Sequence, residues 1–302
     1  MIDVFICTYN PNHEYLLQTI EGILKQDLSH DEWSLTIIDN NSSASVAEID
    51  FVKELKIRTI VEKKQGLTAA RACAVNNSSG DILIFVDDDN ILETNYLSTT
   101  KQIFSNDGEL VLLSGNIVPM YIRQPPKWFT QFEPMLAIRR LDSNQSVIYN
   151  SLTTYNLNFP IGAGMAVRST FIKDYYDNHL SAGNYIEGRK GDELSSGEDL
   201  DLDLYAISKG FKLGVSPFMK LIHIIPERRI LPKYIAKLGV ESIKSGYQLN
   251  AKWSPVFDNL IFDYFGSSAV KLRIKLFISS LLSFNNAFYI KAEFYRELLK
   301  HK

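Results

Sequence analysis

The stretch DILIFVDDDN, Asp81–Asn90, sets five apolar strand formers ahead of three acids. Ile82–Val86 is too short for a typical helix and reads as a strand buried on both faces, as in a parallel sheet. Asp87, Asp88 and Asp89 then stand together at its end. Adjacent carboxylates at the end of a buried strand repel one another and lose hydration. A divalent cation such as Mg²⁺ or Mn²⁺ relieves both penalties and keeps positions for substrate phosphates. In open α/β sheets, ligands sit beyond the carboxyl ends of strands. Acid-rich turns are also ordinary helix caps and solvated loops, so the three acids do not decide between these readings on their own.

Outward from this stretch, the first ninety residues alternate in period. Val4–Cys7 reads as a strand, followed by the turn Thr8-Tyr9-Asn10-Pro11-Asn12. Leu16, Leu17, Ile20, Ile23 and Leu24 share one helix face, with Asn12 as a plausible N-cap. Leu35–Ile38 and Ile57–Val61 read as further strands, and Gly66–Asn77 as a helix stopped by Ser-Ser-Gly. The order β-α-β-α-β-α-β predicts parallel strands joined by crossover helices. Neither a dinucleotide-binding glycine fingerprint nor a P-loop is present. Polar residues finish the strands at Thr8/Asn10, Asp39/Asn41 and Asp87/Asp89, which would bring all of them to one sheet edge. Asp39 could accept hydrogen bonds from a ribose or a base, or it could shape an Asx turn.

The chain has 302 residues, 45% of them hydrophobic and 22% charged. That suffices for one domain of about 200–250 residues with an extension, or for two small domains. Cys7 and Cys73 have no metal-ligand spacing and read as buried thiols of a reducing compartment. The opening MIDVFICTYN lacks a basic region and a long apolar region, so no signal peptide is expected. No run approaches the roughly 20 apolar residues of a spanning helix. The net charge of −3 is uneven: from Lys220 onward there are fourteen Lys/Arg against six Asp/Glu, leaving −11 on the first 219 residues. A basic tail on an acidic protein suggests an anionic partner surface, or simply a solvated helical face.

The set CTYN at Cys7–Asn10, IIDNNSS at Ile37–Ser43, GLTAARACAVNNSSGDILIFVDDD at Gly66–Asp89, GAGMAVR at Gly162–Arg168 and GEDLDL at Gly197–Leu202 resembles a family 2 glycosyltransferase. The resemblance runs from about Ile2 to Arg229. It implies an α/β GT-A fold, with a mostly parallel central sheet flanked by helices and a C-terminal helical extension. It further implies a nucleotide-sugar donor, expected to be a UDP-sugar, with Mn²⁺ or Mg²⁺ as cofactor and inversion at the anomeric carbon. By motif position Asp39 would hold the base, Asp87 and Asp88 would face ribose and diphosphate, and Asp89 would carry the metal. Thr8, Tyr9, Asn10, Asn41, Gly66 and Arg71 complete the donor side. The implied domains are 1–229, split into a nucleotide-binding half 1–118 and an acceptor half 119–229, then the extension 230–302.

Beyond Asn90 a helix is expected over Glu93–Ser105 and a strand near Leu110–Val118. Between Pro119 and Pro160 the period is lost. Trp128 could line a sugar-stacking wall, although such aromatics more often anchor loops. Gly164 could let an acceptor approach the backbone, or allow tight strand packing. Gly183–Gly197 carries four glycines and reads as a flexible loop. It leads into Glu198 and Asp199 at a helix N-terminus, where acids gain about 0.3–1 kcal/mol from the dipole. Transfer to a sugar hydroxyl needs a proton acceptor within hydrogen-bond reach. The resemblance selects Asp199 as that base, with Glu198 assisting at the acceptor; Asp201 and Asp203 are expected to tolerate amide substitution. Lys212–Val215 and Leu221–Ile225 read as short strands. His223 matches the family position that completes the metal shell, and Arg228 and Arg229 could neutralise phosphate.

In the tail, Val270, Ile274, Phe277, Ile278 and Leu281 share a helix face, with Lys271 and Lys275 on another. Such a helix either docks on the catalytic domain or lies on an anionic bilayer. The expected protein is a cytoplasmic, metal-dependent inverting glycosyltransferase, with peripheral contact at the inner membrane face left open. Its expected acceptor is a glycan or lipid-linked glycan of bacterial polysaccharide synthesis, and no nucleic-acid partner is expected. A sugar-phosphate nucleotidyltransferase and a catalytically inactive glycan-binding module are the rival readings.

Overall fold

The structure, a computed structural model, describes residues 1–149, 159–180, 183, 185–191, 193–257 and 267–302. The alternation read from the first ninety residues is present as β1 (Ile2–Thr8), α1 (His13–Leu24), β2 (Trp33–Asp39), α2 (Asp50–Glu54), β3 (Arg58–Val61), α3 (Leu67–Asn76) and β4 (Ile82–Asp87). Strands β1 to β4 pair in parallel, with β1 between β2 and β4. Both faces of β1 and β4 are covered. Val4, Ile6, Ile84 and Val86 meet Leu16, Ile20 and Ile23 of α1, while Phe5, Leu83 and Phe85 meet Ala70, Ala74 and Val75 of α3. Each such side chain contributes about 1.5–3 kcal/mol by leaving water. Asn12 caps α1, its side-chain oxygen accepting from the backbone N–H groups of Glu14 and Tyr15.

The remaining elements of the sheet are β5 (Asn90–Leu92), α4 (Tyr96–Asn106), β6 (Leu110–Tyr121), β7 (Val147–Tyr149), β8 (Met165–Arg168), α5 (Ser169–Tyr175), α6 (Glu198–Ser208) and β9 (Lys212–Ile225). The sheet runs β3-β2-β1-β4-β8-β6-β9-β5, with β7 also on β9. Its second half is mixed: β8 is antiparallel to β4 and β6, and β9 is parallel to β6 but antiparallel to β5 and β7.

Two local expectations are corrected here. The helix after Asn90 starts at Tyr96 rather than Glu93, because Asn90–Leu92 pairs with β9. The two short strands expected in 212–225 are one strand of 14 residues. Its register against β6 slips where Pro217, Phe218 and Met219 bulge opposite Gly115 and Asn116. Gly115 is required there, since a Cβ would lie 1.9 Å from the Met219 carbonyl oxygen. Cys7 and Cys73 are free and half-buried rather than fully buried, and burial pushes the Cys7 thiol up to about 12.

The aperiodic stretch after Pro119 contains a run of 3₁₀ turns over Lys127–Leu136; its residues 150–158 lie outside the described residues. The final helices are α7 (Pro232–Trp253), α8 (Ala269–Leu281) and α9 (Asn286–Lys300). Phe129, Phe132 and Leu136 form a third core cluster with residues of α7 and α9. Leu249 and Trp253 of α7 also enter the core beside α6. Among the described residues, no helix is long and apolar enough to cross a membrane.

Candidate active site

The carboxyl ends of β1, β2 and β4 emerge on one edge, since the three strands are parallel and in register. Thr8 donates its hydroxyl to Asp88. Burial, and next the Asp89 charge, raise the Asp88 carboxyl to about 7. Asp39 is buried, and its two oxygens accept from the backbone N–H groups of Ser42 (2.9 Å) and Val46 (3.0 Å). It therefore shapes the loop after β2, as in the Asx-turn reading, and each oxygen keeps a lone pair for a ligand. Asn10 and Asn41 both adopt positive φ, 49° and 62°. The Asn10 backbone donates to the Ser42 hydroxyl and its side-chain oxygen accepts from the Ser43 N–H, locking the two loops together. Tyr9 is exposed beside them. Asn40, which sequence reasoning passed over, accepts from the Gly66 N–H at 2.8 Å and donates to the Lys64 carbonyl. It thus fixes the start of α3, where Gly66 sits at φ +126°.

Asp89, His223 and Arg229 form a buried corner. The pairing of Asn90 with His223 between β5 and β9 brings Asp89 beside His223, and the 3₁₀ turn Glu227–Ile230 after β9 brings Arg229 to both. Arg229 Nη2 lies 3.0 Å from Asp89 Oδ2, and Arg229 Nη1 lies 2.9 Å from His223 Nε2. His223 Nε2 stands 3.5 Å from Asp89 Oδ1. Burial opposes ionisation of Asp89, but Arg229 and His223 outweigh it and hold the carboxyl well below the usual range. Among the described residues, Nδ1 of His223 and Nε of Arg229 are buried without a hydrogen-bond partner. No three His, Cys, Asp or Glu side chains among the described residues converge as a metal cage. Arg228, next to Arg229 in the chain, faces solvent.

Glu198 and Asp199 open α6 behind Gly197, which caps the helix at φ +113°. Asp199 is held by the backbone, accepting from the N–H groups of Gly162 (3.3 Å) and Leu200 (2.9 Å). Glu198 pairs with Arg71 at 3.5 Å, both side chains largely buried. Burial first, and then the Asp199 charge, raise the Glu198 carboxyl above its ordinary value. Arg71 lies over the Phe85 ring, 5.4 Å from its centroid, and a Cβ at Gly162 would meet Arg71 Nη2 at 2.5 Å. The absence of a side chain at Gly162 therefore makes room for the guanidinium. Arg71 feels the charges of both Asp87 and Glu198, so it joins the strand-end acids to the acids of α6. Arg189 acts likewise, its charge favouring the ionised forms of Asp89 and Glu198. The signal available for Arg189 was a pair of adjacent cations, Arg189 and Lys190, inside the glycine-rich loop.

That loop is tied down along its described part. The Leu67 N–H donates to the Arg189 carbonyl, the Gly188 N–H to Thr68 Oγ1, and the Ser196 N–H to Ser245 of α7. Gly164 and Trp128, assigned to the acceptor from sequence, have packing roles here. A Cβ at Gly164 would meet Leu221 at 2.4 Å and the Tyr96 hydroxyl at 2.6 Å, in the core beneath the edge. Trp128 packs edge-on against Phe129 and Phe132 in the cluster under α7 and α9.

Asp201 and Asp203, both expected to tolerate amide substitution, sit in different environments, and the stability effects expected of the two substitutions are opposite in sign. Asp201 is fully buried and accepts from Tyr175, Lys252 and Trp253, each at 2.7 Å. Asp201→Asn removes the charge opposite Lys252, so a loss of roughly 3–5 kcal/mol in stability is expected from urea unfolding. Asp203 is buried with both oxygens unpartnered among the described residues. Burial, reinforced by Asp199, holds its carboxyl well above the ordinary range. The folded state keeps that proton while the unfolded chain releases it above about pH 4, so folding loses stability as pH rises past that value. Asp203→Asn should match the wild-type Tm near pH 4 and exceed it progressively toward pH 8. A Tm falling below wild type at pH 8 would contradict this.

A mixed α/β sheet with carboxylates at its parallel strand ends, facing a second acidic group at a helix N-terminus, is the architecture of the GT-A glycosyltransferases. The model of the family described as "Glycosyl transferase family 2" matches residues 3–176, and the chain belongs to that family. The match ends before α6. A glucosyl-dolichyl phosphate glucuronosyltransferase of Haloferax volcanii is 23% identical over 133 residues, 43% of this chain and 42% of that protein. An uncharacterized glycosyltransferase of Methanocaldococcus jannaschii is 22% identical over 84% of this chain and 79% of its own length. The chain thus spans less than half of the first relative and about four-fifths of the second. Crystal structures of S. aureus TarS 1–349 share the fold. The complex with UDP-GlcNAc superposes with a TM-score of 0.55 at 14% identity, over 99% of this chain and 90% of TarS 1–349. GalNAc-T7 with UDP, GalNAc and Mn²⁺ gives 0.55 at 15% identity, over 85% of this chain and 51% of that one.

Proposed function

We propose that the protein transfers a sugar from a UDP-sugar to a hydroxyl of a glycan or lipid-linked glycan, in one displacement with inversion. The observation that carries this reading is the two acidic groups on either side of Arg71, which lies over Phe85 of the acid-ended strand β4 and pairs with Glu198 at the start of α6. Residues 1–118 supply the donor side, residues 119–229 the acceptor side, and 230–302 an extension. The loops after β1 and β2, with Asp39, Asn10 and Asn41, hold the nucleoside. Asp199 accepts the proton of the acceptor hydroxyl as its oxygen bonds the anomeric carbon. The bond from that carbon to the diphosphate breaks, and the electron pair leaves with the nucleotide. Glu198 orients the acceptor, while Arg229 and Arg189 offset the charge gathering on the departing diphosphate.

Asp89 Oδ1 and His223 Nε2, 3.5 Å apart, are oxygen and nitrogen donors that fit a divalent cation taking its other ligands from substrate phosphates, provided Arg229 turns from Nε2 toward the diphosphate. Asp89 and His223 would hold such an ion, which would supply further charge neutralisation at the diphosphate. The GalNAc-T7 complex with Mn²⁺ and the TarS complexes with UDP and UDP-GlcNAc favour this donor chemistry. A lipid-linked acceptor in bacterial polysaccharide synthesis would place the enzyme at the inner face of the cell membrane.

The test is a panel of nucleotide sugars incubated with purified protein, with and without Mn²⁺. Mn²⁺-dependent hydrolysis of a UDP-sugar, with NMR showing an inverted anomer, is the expected result. Pyrophosphate release from an NTP and a sugar phosphate would instead reveal a nucleotidyltransferase. Glycan binding with no turnover of any donor would reveal a degenerate module.

A further inference from the structure

The apolar face of α8 is turned outward. Its buried residues are Leu272 and Ser279, one stripe lying toward α9. Val270, Ile274, Phe277, Ile278, Leu281 and, just beyond the helix, Phe284 are between 47% and 85% exposed. Soluble monomers rarely leave large apolar side chains contiguous, and patches of this kind mark interaction sites. Among the described residues nothing of the catalytic core covers this face, which leaves it open for the second of the two outcomes read from sequence.

Charge decides what covers it. Lys271 and Arg273 are exposed beside the ridge, and Lys275 reaches across to the Tyr295 ring of α9 at 5.6 Å. Ser267–Asn285 contains no Asp or Glu, and from 267 to the last residue there are seven Lys/Arg against two acids. A second copy would have to bring these cations together across a two-fold contact, where like charges repel. An anionic lipid surface accepts apolar and basic groups side by side. At 13 residues α8 is about 20 Å long, too short to cross a bilayer of about 30 Å but suited to lying in its interface.

We infer that α8 and the following Phe284 form a bilayer-docking surface selective for anionic lipid. The ridge inserts among the acyl chains while the adjacent cations meet headgroup phosphates. This deepens the reading of a lipid-linked acceptor but is measured separately from it, since docking needs no turnover.

The experiment is co-sedimentation of the full-length protein with vesicles of phosphatidylcholine alone or with 30 mol% phosphatidylglycerol, at about 0.05 and 0.5 M salt. Binding to the anionic vesicles that weakens at high salt is expected. I274E/F277E should lower the partition coefficient at least tenfold, and K271Q about fivefold, the worth of one cation near such a surface. Their Tm and donor hydrolysis should match wild type, because the replaced side chains are exposed. Wild-type protein remaining in solution with anionic vesicles at low salt would overturn the inference. So would equal binding by I274E/F277E, or a dimer in sedimentation velocity that this variant abolishes without any vesicle binding.

Discussion

Asp199→Asn should lower turnover by about 10²–10⁴-fold, the usual worth of a positioned general base, while donor affinity stays close to wild type. The amide keeps the volume and the contact with the Leu200 N–H but has no proton affinity. Gly162 and Leu200 hold the carboxylate from the backbone, so its position does not depend on a neighbouring side chain. Glu198 is a weaker candidate for the base, since Arg71 already engages one of its oxygens at 3.5 Å. Glu198→Gln is expected to weaken acceptor use more than donor hydrolysis. Steady-state kinetics with saturating donor, beside isothermal titration of UDP, separates the two effects. Near wild-type transfer by Asp199→Asn, or a loss at Glu198 that exceeds it, would move the assignment to the neighbouring acid.

The second large effect is expected at Asp89. Asp89→Ala should abolish turnover and remove the Mn²⁺-dependent part of UDP binding. The reason lies in the corner it shares with His223 and Arg229, where a single carboxylate faces both groups. Without it, Arg229 is left largely buried with its counter-charge gone, a state expected to cost stability as well. Asp89→Asn keeps the shape, and thermal melts of both variants distinguish lost folding from lost chemistry. Equal UDP affinity of the wild type with and without Mn²⁺ would remove the metal from the reading and leave Arg229 as the phosphate partner.

Most of the parallel half of the fold could be read from periodicity. Apolar runs of four or five residues ending in polar ones have one good solution when helical periods separate them: parallel strands with all polar ends on one edge. The strand-end acids were visible as charges at positions where burial makes charge costly, whereas the pair opening α6 stood at a helix N-terminus that favours acids and was singled out by the resemblance of its motif. Other features depended on partners distant in sequence. Nothing local marks Asn90–Leu92 as a strand, because its pairing is with residues 221–223. The period-2 pattern of β9 breaks at Pro217, and only contact with Gly115 makes the halves one strand.

The side chains of α6 show the same division. Glu198, Asp199, Asp201 and Asp203 are all acids within six residues, and sequence distinguishes them by helical position alone. Tertiary packing gives each a different environment. Asp199 meets backbone N–H groups, Glu198 meets Arg71, Asp201 meets three donors, and Asp203 meets none among the described residues. Gly164 and Trp128 were drawn toward the acceptor by residue type, and the structure shows the packing of each. The amphipathic tail helix is a similar case. Its apolar stripe was plain from spacing, since a 3.6-residue period is a property of the chain alone. Which way the stripe faces is set by what α8 lies against: Leu272 and Ser279 take the side of α9, and the wider apolar ridge is left to solvent or to a partner. Sequence by itself determined the periods and the places where carboxylates collect, because both follow from local geometry and the cost of burying charge. Only the tertiary structure decided which carboxylates have partners and which apolar face remains open, because those depend on contacts between residues far apart in the chain.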